Sequence, residues 1–134
     1  MGTGPNWAGL DKGMKANGTD AYAFGEVLLI DTAVQSVKRG TTIATAANVA
    51  GICQEAVDAA KVATGKVFVN TRFTGISKCI AGAAVAKGAR LTNNTSCQMV
   101  TQVTAGGPVL GVALEAASGA GQMFDVLLTP GATL

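Results

Sequence analysis

The sequence predicts an all-β fold, a small barrel or sandwich preceded by an extended N-terminal arm, on three observations. First, the chain repeats itself: Gly51-Ile52-Cys53-Gln54-Glu55-Ala56-Val57 returns as Gly111-Val112-Ala113-Leu114-Glu115-Ala116-Ala117. Second, its most regular stretch alternates, with Val67, Val69, Thr71 and Phe73 on one side and Lys66, Asn70 and Arg72 on the other. That is the two-residue period of a strand with one wet face. Third, residues 1–24 hold five of the 18 glycines, one of three prolines and the only Trp and Tyr, with neither period. Such a stretch reads as an extended arm, irregular on its own.

In chain order, regular structure is expected to begin at Glu26-Val27-Leu28-Leu29-Ile30, a short apolar run suited to a buried strand. Val37-Lys38-Arg39-Gly40-Thr41-Thr42-Ile43 is paired with Val85-Ala86-Lys87-Gly88-Ala89-Arg90-Leu91. Each reads as an apolar residue, a turn closed by a glycine at positive φ, and a short strand. Val49 to Ala56 pairs with Val109 to Ala116, and Gly65-Lys66-Val67-Phe68-Val69 with Gly121-Gln122-Met123-Phe124-Asp125-Val126. The spacings between copies differ, so the copies differ by insertions, and three blocks in one order argue for a duplicated supersecondary unit. Phe124, Val126 and Leu128 repeat the alternation of the first half. Arg90-Leu91-Thr92 and Gln98-Met99-Val100-Thr101 flank a turn at Asn93 to Ser96 and form a hairpin. Glu55 to Ala63 is alanine-rich and able to be helical, with Gly65 to end it, while Glu115 to Gly121 has room for one helical turn at most. The expected organisation is an arm over 1–24, then one β-rich domain over 25–134 in two halves, about 25–75 and 76–131.

A chain of 134 residues can bury a true core, but its 49% of hydrophobic residues are mostly Ala and Val, and aromatics supply only 4%. Small side chains remove little surface from water, so the core is thin and a partner is expected to cover some of the remaining apolar surface. Ten basic against eight acidic residues give +2, too weak for a nucleic-acid partner, which calls for a clustered basic face. No run of apolar residues is long enough to cross a membrane, and the first residues do not form a secretory signal, which points to synthesis in a cytoplasm. Cys53, Cys79 and Cys97 are odd in number and widely spaced, and read as reduced, buried small hydrophobes. With no His and three thiols, neither a metal site nor a cofactor is indicated.

Catalytic chemistry is equally sparse. The commonest general base is missing, and neither a nucleophile elbow nor a phosphate loop occurs. Glu55 and Glu115 occupy matching places and form the sharpest enzyme candidate. Their structural alternative is to accept backbone N–H groups in the turn after each strand. The residues expected to carry binding are Pro5, Trp7, Leu10 and Tyr22 on the arm, with Trp7 as anchor. An extended arm can add a strand to an exposed sheet edge. Lys38, Arg39, Lys87 and Arg90 are either solvated turn charges or interface charges.

The order V-x-x-G, short strand, G-[IV]-[AC]-x-E-A, glycine turn, apolar strand and final glycine, clearest over Val85 to Gly131, resembles the small bacteriophage capsid decoration, or cement, proteins. With its first copy the likeness covers about residues 25 to 131. The resemblance implies a β-rich, non-enzymatic virion protein on the outer capsid surface. It would bind the major capsid protein, often as a homotrimer, and stabilise the head, with no membrane partner. The competing reading is a free-standing β-sandwich module for a peptide or carbohydrate.

Overall fold

The computed structural model describes residues 10–134, which form ten strands and one short helix. The first half contains β1 (Asp11–Ala16), β2 (Val27–Ile30), β3 (Ser36–Arg39), β4 (Val49–Cys53), α1 (Ala59–Ala63) and β5 (Phe68–Arg72). The second contains β6 (Gly75–Ile80), β7 (Arg90–Asn93), β8 (Met99–Thr101), β9 (Pro108–Ala113) and β10 (Met123–Thr133). Strands β1-β3-β2-β4-β5 close into a barrel, because β5 returns antiparallel to β1 while β1 runs parallel to β3. The second five-stranded sheet has the order β6-β10-β9-β7-β8, and the isolated parallel bridge Ala81–Met99 ties its two ends together. Each half is therefore the same circuit: first strand beside third, third beside second, second beside fourth, fourth beside fifth, fifth beside first.

The all-β expectation holds, and so does the duplication, but one block of the sequence pairing is displaced. Val85–Leu91 is matched in space by Tyr22–Leu28, not by Val37–Ile43. Tyr22 exchanges both backbone hydrogen bonds with Val57, and Val85 does the same with Ala117. Gly25, at φ 88°, donates its N–H to the Cys53 carbonyl at 2.9 Å, and Gly88, at φ 84°, donates to Ala113 at 2.8 Å. Both glycines hold a left-handed turn that a Cβ would strain. Gly40 holds no such turn. Lys38 and Arg39 lie within β3, and Gly40 is required because a Cβ there would meet the Val27 carbonyl oxygen at 2.8 Å.

A second displacement is one residue long. Glu55 takes the Asn70 N–H and Glu115 the Asp125 N–H, so Asn70 matches Asp125 and Val69 matches Phe124. Aligning Phe68 with Phe124, as the sequence invites, slips the strand by one and exchanges its faces. Phe68 is half-exposed, whereas Phe124 is fully buried.

Regular structure also begins earlier than expected. β1 pairs with β5 from Asp11 to Lys15 and buries Met14 and Ala16. The arm expected over 1–24 thus gives up residues 11–24 to the barrel, and the first half runs from about residue 10 rather than 25. In the helical candidate, Val57 is committed to its bridge with Tyr22, so α1 starts only after Asp58, whose carboxylate caps the Lys61 N–H at 2.9 Å. The matching stretch after Glu115 contains no helix.

Two apolar clusters fill the molecule. One is the interior of barrel one, around Tyr22, Leu28, Val37, Val62 and Val69. The other fills the second unit around Leu91, Met99 and Phe124 and takes in Val27, Leu29 and Ile52 from the outside of barrel one. The outer face of the first unit thus packs into the core of the second.

Candidate docking surfaces

Of the four arm residues expected to bind, Pro5 and Trp7 lie outside the described residues. Leu10 sits where the chain enters barrel one. Its N–H donates to Thr74 Oγ1 at 3.1 Å and its carbonyl accepts the Phe73 N–H at 2.8 Å, while its side chain is 61% exposed. Tyr22 is not available to a partner. It is 2% exposed, and its hydroxyl lies 2.6 Å from the Asn17 carbonyl and 3.1 Å from that of Val37. Burial pushes its pKa up to about 12, so the phenol keeps the proton these carbonyls share. Tyr22 is an internal strut of the barrel because the repeat places an inward-facing residue there, as it does at Val85.

The four candidate cations fall on different barrels. Arg39 grips buried Glu26, with Nε 3.2 Å from Oε1 and its terminal nitrogen 2.7 Å from Oε2, and Asp20 stands 3.7 Å away. The Glu26 hydrogen bonds raise the Arg39 pKa, so it stays charged throughout. Glu26 also accepts the Ala23 N–H at 2.8 Å, so the pair fastens the Tyr22–Glu26 turn onto β3. With Lys38, Asn17, Thr19, Asp20 and Thr41, Arg39 borders an open polar cleft of about 140 Å³. Lys87 is exposed in the Gly88 turn. Arg90, exposed on β7, borders a separate groove of about 220 Å³ with Val109, Val112, Thr129, Ala132 and Thr133. The sequence pairing set Lys87 opposite Arg39 and Arg90 opposite Thr42; the spatial repeat instead sets Arg90 opposite Val27 and Lys87 opposite Phe24.

The carboxylates expected to be structural are so, with a different partner. Glu55 and Glu115 each accept a backbone N–H, at 3.4 and 2.9 Å, from the neighbouring strands β5 and β10 rather than from the turn that follows. Each serves its own barrel, and Lys78 stands 3.6 Å from Glu115 and 3.0 Å from Asp125 on the outer face of the second. Asp11 is bound by Arg72 at 2.7 and 3.0 Å, which holds its carboxyl below the usual range. Among the described residues no three His, Cys, Asp or Glu side chains gather to hold a metal, and no helix is long and apolar enough to cross a membrane.

All three cysteines are free and buried. Burial pushes the Cys53 thiol up to about 11, and raises Cys79 and Cys97 in the same direction. Raised pKa and shielding both suppress the reactive thiolate. At about pH 8, native protein is expected to resist alkylation at all three and to be labelled rapidly once denatured. Prompt labelling of native Cys79 would contradict the packing described.

Sequence reasoning missed the exposed apolar residues: Val34 at 88%, Val103 at 84%, Phe68 at 53% and Ile30 at 46%. A signal existed for Phe68. It shares the wet face of β5 with Lys66, Asn70 and Arg72, where an aromatic is out of place without a partner.

No family model and no curated protein matches the chain significantly. Among solved structures, the fold is similar to that of the N base of the head fiber protein gp8.5 of bacteriophage phi29. The TM-score is 0.62 at 18% identity, over 93% of this chain and 97% of that one. A match of that extent includes both five-stranded units.

Proposed function

We propose that this chain is a structural protein of a bacteriophage head, attached to the outer surface of the capsid and without catalytic activity. The observation that carries the reading is the fold shared with a head fiber base over nearly the whole of both chains. The sequence likeness to capsid decoration proteins points the same way through different residues. In this reading the partner is the major capsid protein, the chain works as a homo-oligomer, a trimer by the decoration-protein pattern, and its role is to stabilise or cap the shell. Contact with the capsid runs through residues 1–9, with Pro5 and Trp7, and through Leu10 at their root, where an exposed apolar side chain leads off the barrel. A peptide or carbohydrate module is less well supported, since Tyr22 and Phe124 are spent in the interior and cannot form a stacking platform.

The test is sedimentation with intact heads lacking this protein. Saturable binding, in fixed ratio to capsid subunits and absent on an unrelated shell, is the expected result. Failure to pellet with any head of the source phage, or equal pelleting with unrelated shells, would overturn the reading.

A further inference from the structure

The contact between the two units inside the chain is asymmetric. The first unit offers an outer face built on Gly25, Val27, Leu29 and Ile52, of which the last three are at most 1% exposed. The second unit covers it with a different face. The Cys97 carbonyl accepts the Val27 N–H at 2.9 Å, and the Ile80 N–H reaches the Gly25 carbonyl at 3.4 Å. Asn93 joins the faces through its amide, accepting the Ala44 N–H at 2.8 Å and donating to the Thr42 carbonyl at 2.7 Å. A Cβ on Gly25 would strike Met123 Cε at 2.9 Å, so that turn is sealed.

Because the units are copies, each carries both faces, and each chain leaves one of each unused. On the second unit the unused receiving face centres on Gly88, Arg90 and Val112, the counterparts of Gly25, Val27 and Ile52. A Cβ on Gly88 would meet nothing within 4 Å. The 220 Å³ groove beside Arg90 is lined by Val109 and Val112. Their counterparts Val49 and Ile52 line the internal seam, where Leu128 and Pro130 of the second unit stand against them. Thr129 Oγ1, at this groove, is shielded from solvent without a hydrogen-bond partner. On the first unit the unused inserting face presents Ile30, Gln35 and Phe68, the counterparts of Asn93, Cys97 and Met123. Gln35 at φ 51° and Cys97 at φ 64° are the two left-handed non-glycine residues among the described ones, so both loops share one backbone shape, although the Gln35 carbonyl already accepts the Lys15 N–H of its own barrel at 2.7 Å. Four exposed apolar residues, the two most exposed among them, lie at these faces: Val34, Phe68 and Ile30 border the inserting one, and Val103 lies in the loop beside the receiving one.

We propose that copies of this chain join head to tail, the inserting face of the first unit of one copy seated on the receiving face of the second unit of the next, repeating between chains the contact already made within each. Phe68 then covers Gly88 as Met123 covers Gly25, and Ile30 meets the loop bearing Val103 as Asn93 meets residues 40–44. Such an interface is heterologous, and gives a ring of alternating first and second units where its rotation closes and an open filament where it does not. This interface follows from the duplicated fold and not from capsid binding, so either can fail while the other stands.

The experiment uses the full chain without capsids, its mass followed by sedimentation velocity. Variant one carries Ile30→Asp and Phe68→Glu on the inserting face; variant two carries Val103→Asp and Val112→Glu on the receiving face. Wild type is expected to be an oligomer and each variant alone a monomer. An equimolar mixture should form a dimer, because each variant retains the face that the other has lost. Should Phe68→Glu or Val112→Glu perturb folding, Val34→Glu takes the place of Phe68→Glu and Val103→Asp alone serves as variant two, Val34 and Val103 being the two most exposed large apolar residues among the described ones. A monomeric wild type at every soluble concentration overturns the proposal. So does assembly broken by variants of one face only, or a mixture that stays monomeric.

Discussion

Deleting residues 1–20 is expected to unfold the first barrel, whereas deleting residues 1–9 should leave its melting transition unchanged. The difference is β1. This strand is hydrogen-bonded in register with β5 from Asp11 to Lys15 and with β3 at Lys15 and Ala16, and it is the stave that closes the barrel. Its loss opens two strand edges at once and removes Met14 and Ala16 from the interior around Val37 and Val69. Truncating a buried Met side chain alone costs about 2–5 kcal/mol, against a total stability for a domain this size of about 5–15 kcal/mol. Loss of the whole strand exceeds what the barrel can absorb. The Asp11–Arg72 pair goes with it, adding about 1 kcal/mol as a partly exposed ion pair. Far-UV circular dichroism with a thermal melt decides the matter. The shorter deletion also isolates the proposed docking segment: it should keep the wild-type melt and lose binding to heads. A cooperative, wild-type melt after deletion of residues 1–20 would show that β1 is dispensable and the barrel description wrong.

What the sequence revealed follows the strength of each local signal. The alternation at Val67–Phe73 and Phe124–Leu128 marked β5 and β10 because each has one face inside and one outside, and the buried residues are those alternation selects. The hairpin of β7 and β8 was legible because Asn94 makes the turn itself, its Oδ1 accepting the N–H groups of Ser96 and Gln98. β1 was hidden for the opposite reason. Asp11-Lys12-Gly13-Met14-Lys15-Ala16 carries two inward residues, one of them Ala, so its place is fixed by pairing on both sides rather than by its own pattern. The repeat was seen and misaligned because aromatics occupy the first copy where Val85 and Lys87 stand in the second. Tyr22 therefore looked like an arm anchor, while Val37-Lys38-Arg39-Gly40 imitated Val85-Ala86-Lys87-Gly88 by composition. The candidate surfaces were the least legible part. Phe68 stands out in the sequence as an aromatic on a wet face, but Ile30 and Arg90 become informative only when set beside Asn93 and Val27, a comparison that needs the spatial register.

Among the described residues, Gly51→Ala is expected to be the most damaging glycine-to-alanine change within a strand, with Gly111→Ala next. Neither glycine adopts a left-handed φ; both lie in extended strands, so backbone strain is not the reason. The reason is approach. β4 and β9 run so close to their neighbours that a Cβ at Gly51 would overlap the carbonyl of Arg72 and stand 3.2 Å from Thr71 Cγ2. At Gly111 it would stand 2.8 Å from the Leu127 carbonyl oxygen and 2.5 Å from Val126 Cγ1. Arg72 and Leu127 are counterparts in the repeat, which explains why both copies of the motif open on glycine: the crossing of the fourth strand over the fifth admits no side chain. Overpacking ordinarily costs about 1–3 kcal/mol, and more where the obstacle is backbone that cannot rotate away. Gly51→Ala belongs at or above the top of that range, since β5 must leave β4 and carry the β1 pairing with it. Gly111→Ala falls lower, because part of its clash is with a valine methyl that can turn. Gly119 provides the control: its φ is not left-handed and a Cβ there meets nothing within 4 Å, so Gly119→Ala should be neutral within about 0.5 kcal/mol. Urea denaturation of the three variants orders them, and the size of the gap between Gly51→Ala and Gly119→Ala is the quantity to read. Similar midpoints for these two would mean that β4 and β5 do not cross at that distance, and the structural account of the repeated motif would fall with them.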